Sequence, residues 1–522
     1  MTANVPIDQQ QMRPEAANSD GEHSIPDDGM ASRVLRKIDR NLIPVLFVTY
    51  MLNFMDKTIL SSASVFGLKE DNNLQGQDYS WVSSIFYFGY FMWTWPTSLL
   101  IARLPVAKYM TANTLFWGVA VAMTAACTNY GGLLTVRFFL GIAEATITPA
   151  FMFLTSTWYT RDEIPFRTGI WFSGNSVGGM FASIIAFGIG HIHDHVGPWR
   201  WMYIVLGCST FLWASAIFYF LPDRISSARF LTKEEREFAR DRVVVAGTGR
   251  TDKTVWRWDQ FVECLADPKT WLFFCMELAS QMPNGGTQNF ANLVIRSFGF
   301  TSLQTTLINI PYSLLSASWI AGSGWVASRY RRANCLLIVA VVLPCIAGSS
   351  VIYSRASTPR AAHMVGYFLL SSGPAAMPLA MSLVQANYRG VTKKMTVTAM
   401  LFVAYCAGNI AGPHLFRADD APTYNSAFLA IMLCYAVVVC LALTLRFYLN
   451  AANKRRAAEE GFEGDSGVAG AVGGVDVAKT GGGGGGAGGV GDLGRIVNEV
   501  ELRPEDYEDV TDWKMVGFRY RL

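Results

Sequence analysis

The chain of 522 residues is predicted to be an all-α membrane protein, with twelve transmembrane helices in two six-helix bundles. Three observations carry this expectation. Hydrophobic residues make up 51% of the chain and charged residues only 16%, whereas soluble domains carry about a quarter charged residues. About twelve apolar runs reach the ~20 residues that a membrane span needs. Finally, the longest internal connection, about 221–269, falls after the sixth run and divides the spans six and six.

The runs lie at about 42–64, 80–101, 110–128, 131–153, 168–190, 200–220, 270–294, 304–327, 334–353, 361–386, 396–416 and 425–448. The expected domains are a disordered tail over 1–35, a first bundle over 36–220, a linker over 221–269, a second bundle over 270–449 and a flexible tail over 450–522. The first thirty residues are polar and acidic, and the first apolar run is too long for a signal peptide, so it should remain as a span. Within the linker, "TKEEREFARDRV" sets Thr232 and Glu235 at capping-box spacing, which marks the start of an amphipathic, exposed helix. The last tail joins the glycine tract Gly481–Gly486 to the acidic "RPEDYEDVTDWK", a composition that reads as disorder.

Basic residues set the orientation. Arg103 and Lys108, Arg161 and Arg167, Arg329, Arg331 and Arg332, Arg389, Lys393 and Lys394, and Lys454, Arg455 and Arg456 all fall on one side. The opposite loops carry fewer, among them Lys69, Arg200, Arg355 and Arg360. That bias places both termini in the cytoplasm of a multi-pass protein of the cell membrane. The net charge of +3 gives no reason to expect a nucleic-acid partner. Nine cysteines form no CxxC pair, and His191, His193 and His195 fall in a short outer loop, so neither metal nor cofactor is expected. No nucleophile–base set or phosphate loop points to an enzyme, and the glycine tract lacks the Lys-Ser/Thr of an ATP-binding loop.

Charges inside the apolar runs carry the functional reading. A charge near the bilayer centre costs ~2.5–3.5 kcal/mol on insertion scales, yet "NFMDKTIL" places Asp56 beside Lys57 in the first run. Adjacent helical residues diverge by ~100°, so the two side chains face different neighbours. In the fourth run Arg137, Gly141 and Glu144 fall at i, i+4 and i+7, on one helix face, and Thr148 continues the stripe. The seventh run repeats Glu277, Gln281, Asn284 and Gln288 at i, i+4, i+7 and i+11, a polar stripe expected to line a cavity or a helix contact. "PNGG", Pro283 to Gly286, should weaken that helix in mid-span. Trp93, Trp95 and Trp171 read as span-edge or packing aromatics.

These residues resemble a known family. "RFFLGIAEATITP" looks like the fourth-helix signature of the anion:cation symporter branch of the major facilitator superfamily, and "MDK" is similar to its first-helix Asp-Arg pair, with lysine for arginine. "YSWVSSIFYFGYF", "STWYTRDEIPFRTGIWFSGN", "LINIPY", "GNIAGPHLF", "DAPTYN" and the terminal "FRYRL" resemble blocks of the fungal allantoate permease family. The chain departs from the family pattern at Ile59, where an Asn often follows the Asp by three residues, and in the loop "ARLPVAKY".

The resemblance implies the major facilitator fold, alternating access, and proton-coupled import of a small organic anion: an allantoate-, ureidosuccinate- or vitamin-like carboxylate. By motif, Asp56 and Glu144 are implied to be the proton-coupling carboxylates, and Lys57 and Arg137 the anion contacts. Asn175 and Asn409 are implied to reach the substrate, and Asn284 and Gln288 on the seventh-run stripe are assigned to the same site. Monomeric action in the lipid bilayer is expected. Glu144 is expected to sit beside Arg137 and to release it on protonation. Two other functions fit the same residues: export of a secondary metabolite, and a nutrient sensor that binds without transport.

Overall fold

The computed structural model describes residues 28–160, 163–192, 194–245, 256–330, 333–354, 358–468, 511–514 and 518–522. The sequence expectations for residues 1–27, for the glycine tract, and for Arg161, His193, Arg331, Arg332 and Arg355 lie outside the described residues. Among those described, the chain is helical with no strand. In hydrocarbon each backbone N–H and C=O must be paired within its own segment, and a helix does this locally.

The first bundle holds α1 (Asp28–Val65), α2 (Asp78–Arg103), α3 (Val106–Thr124), α4 (Tyr130–Trp158), α5 (Phe166–Ile189) and α6 (Pro198–Phe220). Two linker helices follow, α7 (Lys233–Val245) and α8 (Trp258–Ala266). The second bundle holds α9 (Pro268–Ser297), α10 (Ser302–Arg329), α11 (Asn334–Tyr353), α12 (Arg360–Asn387), α13 (Val391–Ala411) and α14 (Asn425–Val468). Eight of the twelve long helices are apolar enough to cross a membrane on composition alone. The other four are α2, α3, α9 and α10; α9 carries the Glu277 to Gln288 polar stripe and α10 is rich in Ser.

Within the first bundle α3 packs on α6, α2 on α4, and α1 on α5; in the second, α9 packs on α13 and α11 on α14. The bundles meet where α5 lies on α10, α1 on α9, and α2 on α13. Glycine decides the closest of these approaches. A Cβ at Gly141 of α4 would run into the Phe86 carbonyl of α2, and one at Gly89 of α2 into the Phe138 carbonyl of α4.

Three expectations are corrected. "PNGG" does not break its span: α9 is one continuous helix through Pro283. Its glycines serve contact instead, since a Cβ at Gly285 would strike Asn409 and one at Gly286 would strike the Gly412 carbonyl. The break falls in α4, between Glu144 and Ile147. Pro149 has no N–H to give the carbonyl of Ala145, so the ladder cannot continue across that turn.

The linker also departs from an exposed helix. The Thr232–Glu235 capping box forms, with Thr232 N donating to Oε2 at 3.0 Å and Glu235 N donating to Thr232 Oγ1 at 3.3 Å. Glu235 is nevertheless buried, paired with Lys37 of α1 at 2.7 Å, and Arg242 pairs with Glu163 at 3.0 Å. The third correction concerns the end of the chain. Helix α14 runs on to Val468, and residues 511–514 and 518–522 pack against the second bundle. Composition read them as disordered because Asp512 is held by Lys269, Lys393 and Arg456, and Tyr520 by Asn453 and Arg456, all more than fifty residues away in sequence.

Candidate functional site

Helices α1, α2, α4 and α9 bring the intramembrane charges of the first bundle to one place between the bundles, while Glu277 lies apart from them. A narrow cavity there is lined by Lys57 and Leu60 of α1, Ser83, Phe86 and Tyr87 of α2, Arg137 of α4, and Gln288 and Asn289 of α9. Of the residues singled out in the sequence, Lys57, Arg137 and Gln288 therefore share one cavity, and both cations face it.

Asp56 and Lys57 separate as adjacent helical residues must. Asp56 is fully buried and accepts a bond from Trp117 Nε1 of α3 at 2.8 Å. Lys57 turns the other way, toward Glu144 Oε2 at 3.4 Å, and its Nζ lies 5.7 Å from the Phe86 ring centre and 5.5 Å from that of Tyr90. Asn53, one turn before Lys57, ties the pair together. Its amide donates to Glu144 Oε2 at 2.6 Å and its carbonyl oxygen accepts from Lys57 Nζ at 3.0 Å.

Arg137 is buried, with its guanidinium donating to the Tyr203 hydroxyl of α6 at 2.5 Å. Among the described residues it has no carboxylate within 4.0 Å, and its Nε has no hydrogen-bond partner. The expected Arg137–Glu144 neighbourhood is thus corrected. Arg137 is bonded to Tyr203 and attracted by Asp56 only at longer range, while Glu144 contacts Lys57 and also lies against Asp56. The i, i+7 spacing does put Arg137 and Glu144 on one face, but ~10.5 Å of rise separates their backbones, and each finds a partner on another helix.

Asn284 and Asn409 belong to a second polar cluster, between α9 and α13. Gln281 Oε1 accepts from Asn284 Nδ2 at 3.1 Å and from Asn409 Nδ2 at 3.3 Å, while Gln281 Nε2 donates to the buried Glu277 at 2.9 Å. Neither Asn284 nor Asn409 lines the cavity, and Asn175, half-buried on α5 close to Tyr50, does not either. Trp171 is buried against Tyr50 and Phe151, whereas Trp95 is 71% exposed. Asn53 had a signal in the sequence, an amide one turn from Lys57 in an apolar run. Trp117 and Tyr203 had none, since each is one aromatic in an apolar span.

The two bundles are joined at the end remote from the termini. There the Tyr79 hydroxyl donates to Asn289 O at 2.8 Å, Ser80 to Pro413 O at 3.0 Å, Ser84 to Ile410 O at 2.7 Å and Ser302 to Val65 O at 2.8 Å. Phe290 stacks on Phe416 at 4.6 Å, edge-on to Tyr79 at 5.0 Å, and closes the same end. Two bundles, sealed at one end, hold buried charges between them.

Comparison with known proteins identifies this arrangement. The sequence profile of the Major Facilitator Superfamily matches residues 46–413. The chain belongs to the major facilitator superfamily. Within it the chain is 34% identical over 446 residues to allantoate permease of Saccharomyces cerevisiae, covering 82% of this chain and 81% of that one. It is 33% identical over 428 residues to an uncharacterized transporter of Schizosaccharomyces pombe, covering 82% and 81%. This makes it an allantoate permease-like member of the superfamily, a membrane transporter and not an enzyme. A bacterial homologue of the human lysosomal transporter Spinster, solved in an inward-facing, unoccupied conformation, shares the fold. Its TM-score is 0.60 at 15% identity, over 80% of this chain and 96% of that one.

Proposed function

We propose that this superfamily member imports a small organic anion together with protons, using Lys57 and Arg137 to hold a carboxylate and Glu144 and Asp56 to carry the proton. The observation that supports this most is the pair of cations on one cavity, one of them without a carboxylate partner among the described residues. A buried guanidinium with an unpaired Nε is costly unless an anion arrives, and its planar fork suits a carboxylate. Similarity to allantoate permease favours a ureido acid or a related carboxylate as cargo.

Coupling follows from the Lys57–Glu144 contact. With Glu144 ionised, Lys57 is held by it and by Asn53. Protonation of Glu144 removes that attraction and frees Lys57, already on the cavity, to bind the anion together with Arg137. Release of the proton on the other side restores the pair and expels the anion. The sealed remote end then corresponds to a state open toward the terminus-bearing side, which the basic loops assign to the cytoplasm.

Radiolabelled allantoate offered to sealed vesicles under an imposed pH gradient tests the reading. Inward, gradient-driven accumulation supports it. Outward flux would favour an exporter, and saturable binding without flux a sensor; either rejects import.

A further inference from the structure

At the terminus-bearing end of the second bundle, well away from the cavity residues, lies a second group of buried charges that transport chemistry does not use. Lys269 at the start of α9 and Lys393 at the start of α13 are both fully buried. Asp267 sits 3.1 Å from each lysine, and Glu263 of α8 sits 2.8 Å from Lys393. The remaining anion comes from the far end of the chain: Asp512 pairs with Lys269 and, at 2.9 Å, with Lys393.

The segment around Asp512 is held along its described length. Thr511 donates to Glu263 at 3.0 Å, and Lys514 reaches Asp259 of α8 at 3.4 Å. Arg456 of α14 donates to the carbonyls of Asp512 at 2.7 Å and Phe518 at 3.1 Å. Asn453 brackets Tyr520 with two bonds of 2.9 Å and 2.8 Å, and Asn387 brackets Arg521 with two of 3.0 Å and 2.7 Å. The Asn334 amide donates to Leu522 O at 3.0 Å. Asn387 and Asn453 thus each satisfy both main-chain groups of one residue of the segment, and main-chain hydrogen bonds are what give a bound peptide its affinity.

The tether does not dictate this position. Forty-two residues separate Val468 from Thr511, enough to reach on the order of 140 Å when extended. The contacts themselves select the site. Asp512 supports the same view: burial alone would raise its carboxyl, but Lys269 and Lys393 together hold it below the usual range.

We propose that this face of the second bundle is a peptide-binding site whose ligand is residues 511–514 and 518–522 of the same chain, and that its occupancy fastens linker helix α8 to the bundle. Helix α8 exposes much of its surface, with Trp258 69% and Val262 60% accessible. Its bonds to the bundle include those of Gln260, whose side-chain oxygen accepts from the amides of Thr392 and Lys393, of Leu265, whose carbonyl accepts from Trp271 Nε1 at 2.9 Å, and of Glu263, which pairs with Lys393 and also accepts from Thr511. Helix α7, by contrast, is pinned to the first bundle through Lys37 and Glu163. Only twelve residues join the end of α7 to the start of α8. A fastened α8 therefore limits how far the two bundles can part at this end, and a released one lengthens the leash.

Hydrogen exchange of the purified full chain tests this. In Asp512→Asn and Asp512→Lys, amides of Trp258–Ala266 should exchange at least tenfold faster, while those of Lys233–Val245 stay at the wild-type rate. A synthetic peptide of residues 511–522, added to a chain ending at Val510, should restore α8 protection to within twofold of the full chain. Unchanged α8 exchange in both Asp512 variants overturns the proposal. So does failure of the peptide to restore protection in a truncated chain whose α7 remains protected.

Discussion

Lys57 and Arg137, both on the central cavity, differ in their partners: Lys57 Nζ stands 3.4 Å from Glu144 Oε2, while Arg137 has no carboxylate within 4.0 Å among the described residues and is anchored on the Tyr203 hydroxyl. The two cations are therefore not equivalent. One is restrained by a group that a proton can neutralise, and the other stays cationic and open to an incoming anion. Under the proposed function, this asymmetry is what would let one site respond to pH without losing its affinity for negative charge.

Glutamine at Glu144 fixes the neutral form while keeping the hydrogen bond to Asn53. Glu144→Gln should lower gradient-driven accumulation at least a hundredfold and leave substrate exchange at equal pH within about threefold of wild type. Counterflow measured beside gradient-driven uptake in the same vesicles makes the comparison. Wild-type accumulation in this variant would remove Glu144 from the coupling.

The Arg137–Tyr203 contact gives a second prediction. A hydrogen bond to a charged group is worth about 1.5–3 kcal/mol, and tenfold in affinity is about 1.4 kcal/mol. Tyr203→Phe should then raise KM for the anion roughly tenfold, with the maximal rate little changed, because the guanidinium loses the group that aims it. Arg137→Lys should raise KM at least as much, since an ammonium cannot hold Tyr203 and a carboxylate with one planar fork. Initial uptake rates across substrate concentrations decide it, and a wild-type KM in both variants contradicts the assignment.

How much of this was legible in the sequence depends on the length scale of each interaction. Membrane thickness sets run length, so the apolar runs fell where the twelve long helices lie, although only eight of these are apolar enough to cross a membrane by composition. Their ends were less accessible: α1 begins at Asp28, well before the apolar run at 42, because Val34, Ile38 and Leu42 extend a buried stripe through otherwise polar sequence. The face shared by Arg137, Gly141 and Glu144 was readable because helical periodicity is local. Which cation meets which carboxylate was not, since Lys57 lies 87 positions from Glu144 and only helix packing sets their distance. The docking of residues 511–514 and 518–522 was invisible for the same reason. Its charges look solvated until Lys269 and Lys393 are placed opposite them.

Packing yields a prediction independent of substrate. At Gly141 a methyl group would meet the Phe86 carbonyl and the Tyr90 amide, backbone atoms that cannot rotate aside. Overpacking of this kind costs about 1–3 kcal/mol. Gly141→Ala should therefore unfold several degrees lower in detergent, and Gly89→Ala, which meets the Phe138 carbonyl, should behave likewise. Because both force the same α2–α4 separation, the double variant should lose less than the sum of the two. Thermal unfolding of the three variants tests this; full additivity would mean the glycines do not share one contact.

The acid behaviour of the docked segment can be given a sign. Burial pushes the Asp512 carboxyl up, and the Lys269 and Lys393 ammonium groups more than offset it, so the folded value lies below the ordinary 3.8. A carboxylate depressed on folding contributes stability that is fully present above its unfolded value and is lost as pH falls through its folded one. Docking through Asp512 should consequently hold across pH 5.5 to 8 and weaken only below about 4, where Asp512 takes up a proton and two buried lysines lose a partner. Exchange at α8 amides, corrected for the intrinsic pH dependence of exchange, should be the same at pH 5.5 and pH 8. A rise of tenfold or more at pH 5.5 would show that a group with a higher pKa than Asp512 controls the contact.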